Sequence, residues 1–253
     1  MNYMIKRKIL MITRHGVKEA QPGDIKGDES LKGASVLDMY HQAKVALNGY
    51  VTDEGIDPRR IFIRHSPSKR TLQTANSRVA GAFALHPVPS SSKTLDSLIF
   101  SAPYFPTRVD HRLGYEGLEL NEEALKKEGD SVYVTRFMGS PDRDTYDGVP
   151  VTSFNQIVRM LTPCLSDALR LLTRGPKDLG VLATHGGLAE SIFTAAVNSA
   201  RSTSVAGVED IGGPVPMEGY ALFCLDETDA GSCQAKMVRN GQEYPINLDR
   251  LVG

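Results

Sequence analysis

Ile9, Leu10, Met11 and Ile12 form one unbroken apolar run between Lys8 and Thr13. A short run without alternation, bounded by charge, is the pattern of a strand buried on both faces. It ends in Arg14-His15-Gly16. Behind a polar, glycine-containing stretch, Val36, Leu37, Tyr40, Ala43 and Leu47 recur at helical spacing after a capping candidate at Ser35. This predicts a helix over 35–49. Residues 60–63 give a second buried strand, and Leu72, Ala75, Val79, Ala82 and Phe83 mark a second helix starting near Pro67.

The rhythm breaks between about 87 and 150, where Pro87, Pro89, Pro103, Pro106, Pro141 and Pro150 leave only short periodic pieces. Such a stretch suits an insertion or lid rather than sheet core. Phe154, Ile157, Val158, Leu161, Leu165, Leu169 and Leu172 then line one face of a helix over 152–173, with Pro163 as the expected kink. A third buried strand, 179–183, runs into Thr184-His185-Gly186-Gly187 and a helix over 188–198. Strands at 220–225 and 235–239 follow a loop over 199–216. Alternating strands and helices predict an α/β fold, a three-layer α/β/α sandwich with a mostly parallel central sheet and an inserted lid region.

Composition narrows the class without choosing it. At 253 residues the chain fits one domain over 1–253 enlarged by the lid at about 87–150. With 41 % hydrophobic and 23 % charged residues it is ordinary globular material. A formal net charge of −1 gives no global field for nucleic acid or anionic membrane, so neither is expected as a partner. Cys164, Cys224 and Cys233 are odd in number and form no CxxC, which fits a reducing compartment. The first apolar run is too short for a signal peptide, and no run of about 18 apolar residues spans a bilayer. A cytoplasmic protein is the expectation, and the oligomeric state is left open.

The chemistry collects at strand ends. In open α/β sheets ligands sit outside the carboxyl ends of the strands. Arg14-His15-Gly16, Ser66 to Arg70, and Thr184-His185-Gly186-Gly187 each follow a predicted strand. Arginine's planar fork suits phosphate oxygens, glycine lets backbone N–H groups approach an anion, and histidine can attack phosphorus or carry a proton. Any one of these residues alone reads as a solvated loop residue.

Together the three segments resemble the histidine phosphatase superfamily, whose other branch is the phosphoglycerate mutases. Thr13-Arg14-His15-Gly16 resembles its RHG motif, and Ser66-Pro67-Ser68-Lys69-Arg70-Thr71-Leu72-Gln73-Thr74-Ala75 resembles its Ser-Pro-x-x-Arg-x-x-Gln-Thr-Ala segment. Ala183-Thr184-His185-Gly186-Gly187 resembles its third motif. The resemblance implies that His15 carries the phosphoryl group as a phosphohistidine. It further implies that Arg14, Arg70 and His185 hold the phosphoryl oxygens, with no cofactor and no metal. Consistently, the six histidines form no HxH or HxxxH pair.

Relatives place a general acid between the second and third motifs, often as Leu-x-Glu, and no clean copy is present. Glu116 is the favoured candidate, with Asp96 and then Glu119 behind it; all three also read as surface carboxylates. Arg64-His65 duplicates the Arg-His dipeptide but lacks the glycine, so the nucleophile assignment stays with His15. After Gly16 the chain continues Val17-Lys18-Glu19-Ala20-Gln21 in place of the mutases' Glu-Ser-x-x-Asn, which favours hydrolysis over mutase chemistry. Residues 101–150 hold six basic and ten acidic side chains, a poor funnel for polyphosphorylated substrates. The expected partner is a small phosphorylated substrate or a phosphoprotein. The competing reading is a non-catalytic, phosphate-binding pseudophosphatase without a working acid.

Overall fold

The computed structural model describes residues 6–17, 31–85, 107–128, 130–201, 207, 209–227 and 233–253. Strand β1 (Lys6–Arg14) is central and is followed by helix α1 (Gly33–Asp53). Then come β2 (Ile61–His65), α2 (Lys69–Ala82) and a short β3 (Thr107–Val109). Helices α3 (Glu122–Glu128) and α4 (Asp130–Met138) precede a two-stranded ribbon of β4 (Thr145–Tyr146) and β5 (Val149–Pro150). The chain continues with α5 (Phe154–Thr173), β6 (Leu179–Thr184), α6 (Leu188–Ala200) and β7 (Tyr220–Glu227). It closes with β8 (Cys233–Arg239), β9 (Gln242–Ile246) and α7 (Leu248–Val252).

The main sheet has the order β3-β2-β6-β1-β7-β8-β9. Its first four strands are mutually parallel, and β7, β8 and β9 then alternate in direction, so most strands point one way. Helices cover both faces. Side chains alternate along β1: Ile9 and Met11 join Ile61, Ile63, Leu47 and Val79 beneath α1 and α2. Leu10 and Ile12 join Leu165, Leu169 and Phe193 beneath α5 and α6. Strand β6 lies between β2 and β1 and is buried along its whole length, which is why it carries no polar alternation. Among the described residues no helix is long and apolar enough to cross a membrane.

Several local expectations shift. Helix α1 starts at Gly33, so Ser35 is inside it rather than capping it, and the Ser35 hydroxyl instead accepts from Val17 N at 2.8 Å and donates to Glu218. Helix α2 starts two residues after Pro67, where the Ser68 hydroxyl accepts from Thr71 N. Helix α5 runs through Pro163. The stretch expected to stay out of the sheet contributes its edge strand, since Ile63, Arg64 and His65 pair with Thr107, Arg108 and Val109. Farther on, Tyr133, Phe137, Met138 and Tyr146 pack into the same core as Phe154 of α5. Residues 86–106, including Asp96, lie outside the described residues.

The start of α5 is closed by a capping box. Ser153 Oγ accepts from Gln156 N at 3.3 Å, and Gln156 Oε1 accepts from Ser153 N at 2.7 Å. Ser153→Ala removes one half of it and is expected to cost about 1 kcal/mol. For a chain of this size that lowers Tm by roughly 2–4 °C, which thermal unfolding measures; an unchanged Tm would show that the box does not hold the helix start.

Candidate active site

The register of the parallel strands brings the three motifs together. Arg14 pairs with Thr184 and His65 with Ala183, so His15, Ser66 and His185 leave the sheet at one edge. His15 N donates to Thr184 O at 3.0 Å and Ser66 N to Ala183 O at 3.2 Å, which holds the segments side by side beyond the last paired residues. The His15 and His185 rings meet edge to face with centroids 5.1 Å apart. Both side chains are buried, as is Arg14, which is 1 % exposed.

Hydrogen bonds fix the state of each ring. His15 Nδ1 lies 2.8 Å from the Gly16 carbonyl, which can only accept, so the neutral ring carries its proton on Nδ1 and its lone pair on Nε2. His185 Nδ1 lies 3.4 Å from Arg70 Nη2, and a guanidinium can only donate. His185 therefore carries its proton on Nε2, which donates to Ser66 Oγ at 2.8 Å. Burial, reinforced by His15, Arg70 and Arg14, drives the His185 pKa well below its ordinary value, so the ring stays neutral.

Two arginines complete the cradle. Arg14 Nη1 donates to Val215 O at 2.7 Å. Its guanidinium lies against the backbone of Gly186, where a Cβ would sit 2.7 Å from Arg14 Cζ and push the guanidinium from its place. Arg70, in the first turn of α2, keeps a buried Nε with no hydrogen-bond partner among the described residues. A buried donor left without a partner costs free energy unless a ligand supplies an acceptor. Tyr115 closes one side, its ring 4.9 Å from that of His185 and its hydroxyl donating to Gly186 O at 2.6 Å.

The cradle rests on buried groups outside the three motifs. Glu190 on α6 is fully buried; Oε2 accepts from Gly187 N at 2.7 Å and Oε1 from Val215 N at 2.8 Å. One carboxylate thus ties the third motif to the residue whose carbonyl holds Arg14. Burial pushes the Glu190 pKa up, against those hydrogen bonds and the nearby Arg14 charge. Arg239 secures the same loop by donating to the carbonyls of Ile211, Gly213 and Pro214. Arg78, also fully buried, donates to Thr13 Oγ1 at 3.2 Å, Met39 O at 3.1 Å, Gln42 Oε1 at 2.8 Å and Glu218 O at 2.5 Å. Burial lowers its pKa to about 10, which leaves it cationic at neutral pH.

With this geometry in view, the chain can be set beside known proteins. No protein-family profile matches it, and no curated protein matches it in sequence. Solved structures do match. A protein described as mycobacterial hydrolase 2 superposes with a TM-score of 0.52 at 16 % identity, over 97 % of this chain and 95 % of its own. The native mycobacterial glucosyl-3-phosphoglycerate phosphatase gives 0.51 at 15 % identity, over 92 % and 97 %. The same phosphatase complexed with VO3 also gives 0.51 at 15 % identity, over 91 % and 97 %. The chain has the histidine phosphatase fold.

Within that fold neither Glu116 nor Glu119 is drawn into the cradle. Glu116 is exposed and accepts from His111 Nδ1 at 2.6 Å. Glu119 is exposed and lines a separate groove with Asp144, Thr152 and Arg159. Asp110, which follows β3, donates through its backbone N–H to His65 O at 2.8 Å. Burial would raise the Asp110 pKa, but Arg112 and Arg64 outweigh it and hold the carboxyl ionised. His65 is buried with Nδ1 2.6 Å from Ser66 O, and burial lowers its pKa. It therefore repeats the local geometry of His15, on the other side of β6.

Glu190 offers a direct test of how the cradle is held. Glutamine has one acceptor oxygen for two backbone donors, so Glu190→Gln leaves one N–H without a partner, a cost of about 1–3 kcal/mol. We expect inorganic phosphate affinity, read by calorimetry, to fall roughly tenfold, which corresponds to 1.4 kcal/mol. In an Arg14→Ala background the same substitution should cost no further affinity. An equal loss in both backgrounds would mean that Glu190 does not act through Arg14.

Proposed function

We propose that the protein is a metal-independent phosphatase that hydrolyses phosphate monoesters through a phosphohistidine on His15. The observation that carries this reading is the convergence of a histidine whose Nδ1 proton is committed to Gly16 O with Arg14, Arg70 and a neutral His185 at one sheet edge. His15 Nε2 attacks phosphorus as the P–O bond to the alcohol breaks, and the departing oxygen takes a proton from an acid. Water then cleaves the P–N bond and releases inorganic phosphate. Arg14 and Arg70 stabilise charge on the phosphoryl oxygens, and the His185 N–H exchanges Ser66 Oγ for a phosphoryl oxygen when the ester binds. The substrate is a small phosphorylated molecule, and the compartment we assign is the cytoplasm, consistent with three cysteines that are all free.

His15→Ala should abolish turnover of an aryl phosphate, while excess chelator leaves the wild type active. Loss of activity on chelation, restored by Mg²⁺, would refute the mechanism. Phosphate at a hundred times its Kd should stabilise the wild type by about 2.7 kcal/mol. Arg70→Ala should remove most of that protection, and protection unchanged would put the anion elsewhere.

The proton donor is assigned to Glu116 or Asp96. Glu116 sits next to Tyr115, which lies on His185; to act as the acid it has to leave its pairing with His111 and take up a proton from solvent before the ester's P–O bond breaks. An aryl phosphate leaves as a weakly basic phenolate and an alkyl phosphate as a strongly basic alkoxide, so the acid matters far more for the alkyl ester. Glu116→Gln should slow alkyl phosphate hydrolysis by about 10²-fold and aryl phosphate hydrolysis much less. If Asp96→Asn shows that dependence instead, the acid is Asp96. If neither substitution does, the pseudophosphatase reading gains, in keeping with the exposed position of Glu116.

A further inference from the structure

The peptide between Gly16 and Val17 is engaged at both ends. Its carbonyl accepts from His15 Nδ1 at 2.8 Å, and its N–H donates to Ser35 Oγ at 2.8 Å. The Ser35 hydroxyl in turn donates to the Glu218 carboxylate. Ser35 is buried and Glu218 half-buried, so the middle of this line is shielded from water. Hydrogen bonds therefore run without a break from a carboxylate, through a hydroxyl and one resonant peptide unit, to the ring nitrogen of His15 that does not attack.

Glu218 is held where it is from several sides. Its φ of 63° lies in the left-handed region, which a residue with a Cβ rarely adopts. Glu218 N donates to His15 O at 3.3 Å, and Glu218 O accepts from Arg78. Its Cγ packs over Gly16, 3.3 Å from where a Cβ on that glycine would lie. Backbone strain persists only where the surroundings over-determine a residue's position, and here those surroundings are the segment that carries the nucleophile.

His65 supplies an internal contrast. Its Nδ1 makes the same contact with the next carbonyl, Ser66 O, at 2.6 Å. The residue after Ser66 is Pro67, so that peptide has no N–H to pass polarisation on. Ser66 O is also shared with the Thr71 hydroxyl at 3.0 Å. At His65 the line stops after one bond, whereas at His15 it runs on to a carboxylate.

We propose that Glu218 and Ser35 are positioning residues for the nucleophile, orienting and polarising His15 through the peptide between Gly16 and Val17. The proposal rests on the phosphatase reading of the cradle and adds what activates its nucleophile. Chained hydrogen bonds strengthen one another in a desolvated site. Negative charge on Glu218 draws the Ser35 proton, which makes Ser35 Oγ a stronger acceptor for Val17 N–H and the Gly16 carbonyl a stronger acceptor for the His15 Nδ1 proton. When Nε2 bonds to phosphorus, the P–O electron pair leaves with the alcohol oxygen, Nδ1 keeps its proton and the ring becomes positive. A stronger bond from Nδ1 stabilises that positive ring, as a carboxylate does when it pairs directly with a histidine.

The experiment uses Glu218→Gln, which keeps the side-chain length, an acceptor oxygen and the backbone demand but removes the charge. We expect kcat/KM for an aryl phosphate to fall about tenfold, while affinity for inorganic phosphate, read by calorimetry, does not fall. The His15 Nδ1 proton resonance, assigned by its loss in His15→Ala, should move upfield in Glu218→Gln. Ser35→Ala should lower kcat/KM as well, and adding Glu218→Gln to it should cost nothing more. An unchanged kcat/KM in Glu218→Gln, an unmoved resonance, a parallel loss of phosphate affinity, or additive losses in the double variant would each overturn the proposal. Turnover surviving in His15→Ala would instead strike the phosphatase reading on which it rests, and the resonance, which needs no turnover, tests the hydrogen bonds separately.

Discussion

Everything at this sheet edge depends on keeping buried arginine both satisfied and charged. Removing a guanidinium from water is costly unless its donors find acceptors. A direct carboxylate partner would meet that need but would cancel the charge that attracts an anion. Arg78 is fastened through neutral oxygens, Met39 O, Gln42 Oε1, Thr13 Oγ1 and Glu218 O, and Arg14 donates to another, Val215 O. Such acceptors fix direction without neutralising charge. The nearest buried carboxylate, Glu190, has its oxygens engaged by the backbone N–H groups of Gly187 and Val215. It supports the position of Arg14 from behind, and the field of the cradle stays positive.

That field explains why the two histidines differ. His185 is surrounded by burial and positive charge, so protonating it would add a third cation to a desolvated cluster. Holding it neutral lets it act as a donor through one fixed N–H, aimed at Ser66 Oγ until a better acceptor arrives. His15 is aimed by its own neighbour, because the Gly16 carbonyl takes its Nδ1 proton. The same contact between Nδ1 and the next carbonyl recurs at His65, so it belongs to the way these strands end. What distinguishes His15 is its company, with the His185 ring edge-on against it.

The cradle was legible in the sequence because each part is local: a strand, then two to five polar residues. Register then had only to place three strand ends together. The supports were not legible, since Glu190, Arg78, Arg239 and Tyr115 owe their roles to partners far away in the chain. Glu190 reads as one more polar residue in an apolar helix until Val215 is seen against it. Elements with little periodicity also escaped. Helix α3 is seven mostly charged residues, and β3 is three exposed ones. Strand β9 contains Pro245, tolerated because it pairs on one side only, as the sheet's edge. A signal for β9 was available in Asn240-Gly241, whose positive φ angles of 51° and 74° suit a tight hairpin.

The reversal of strand direction halfway across the sheet is what lets the distant supports arrive. Strand β7 runs antiparallel to β1, with Tyr220 opposite Thr13, so β7 begins at the edge where β1 ends. The loop leading into β7 is thereby delivered to the cradle, carrying Val215 to Arg14 and Glu218 to the backbone of His15. A parallel strand in that place would present its carboxyl end instead, and the chain before it would approach from the opposite edge. Arg239, at the end of β8, reaches the same loop because β8 is reversed again and so ends where β7 begins. Parallel strands supply the reactive side chains, and the antiparallel half supplies the backbone carbonyl that holds Arg14.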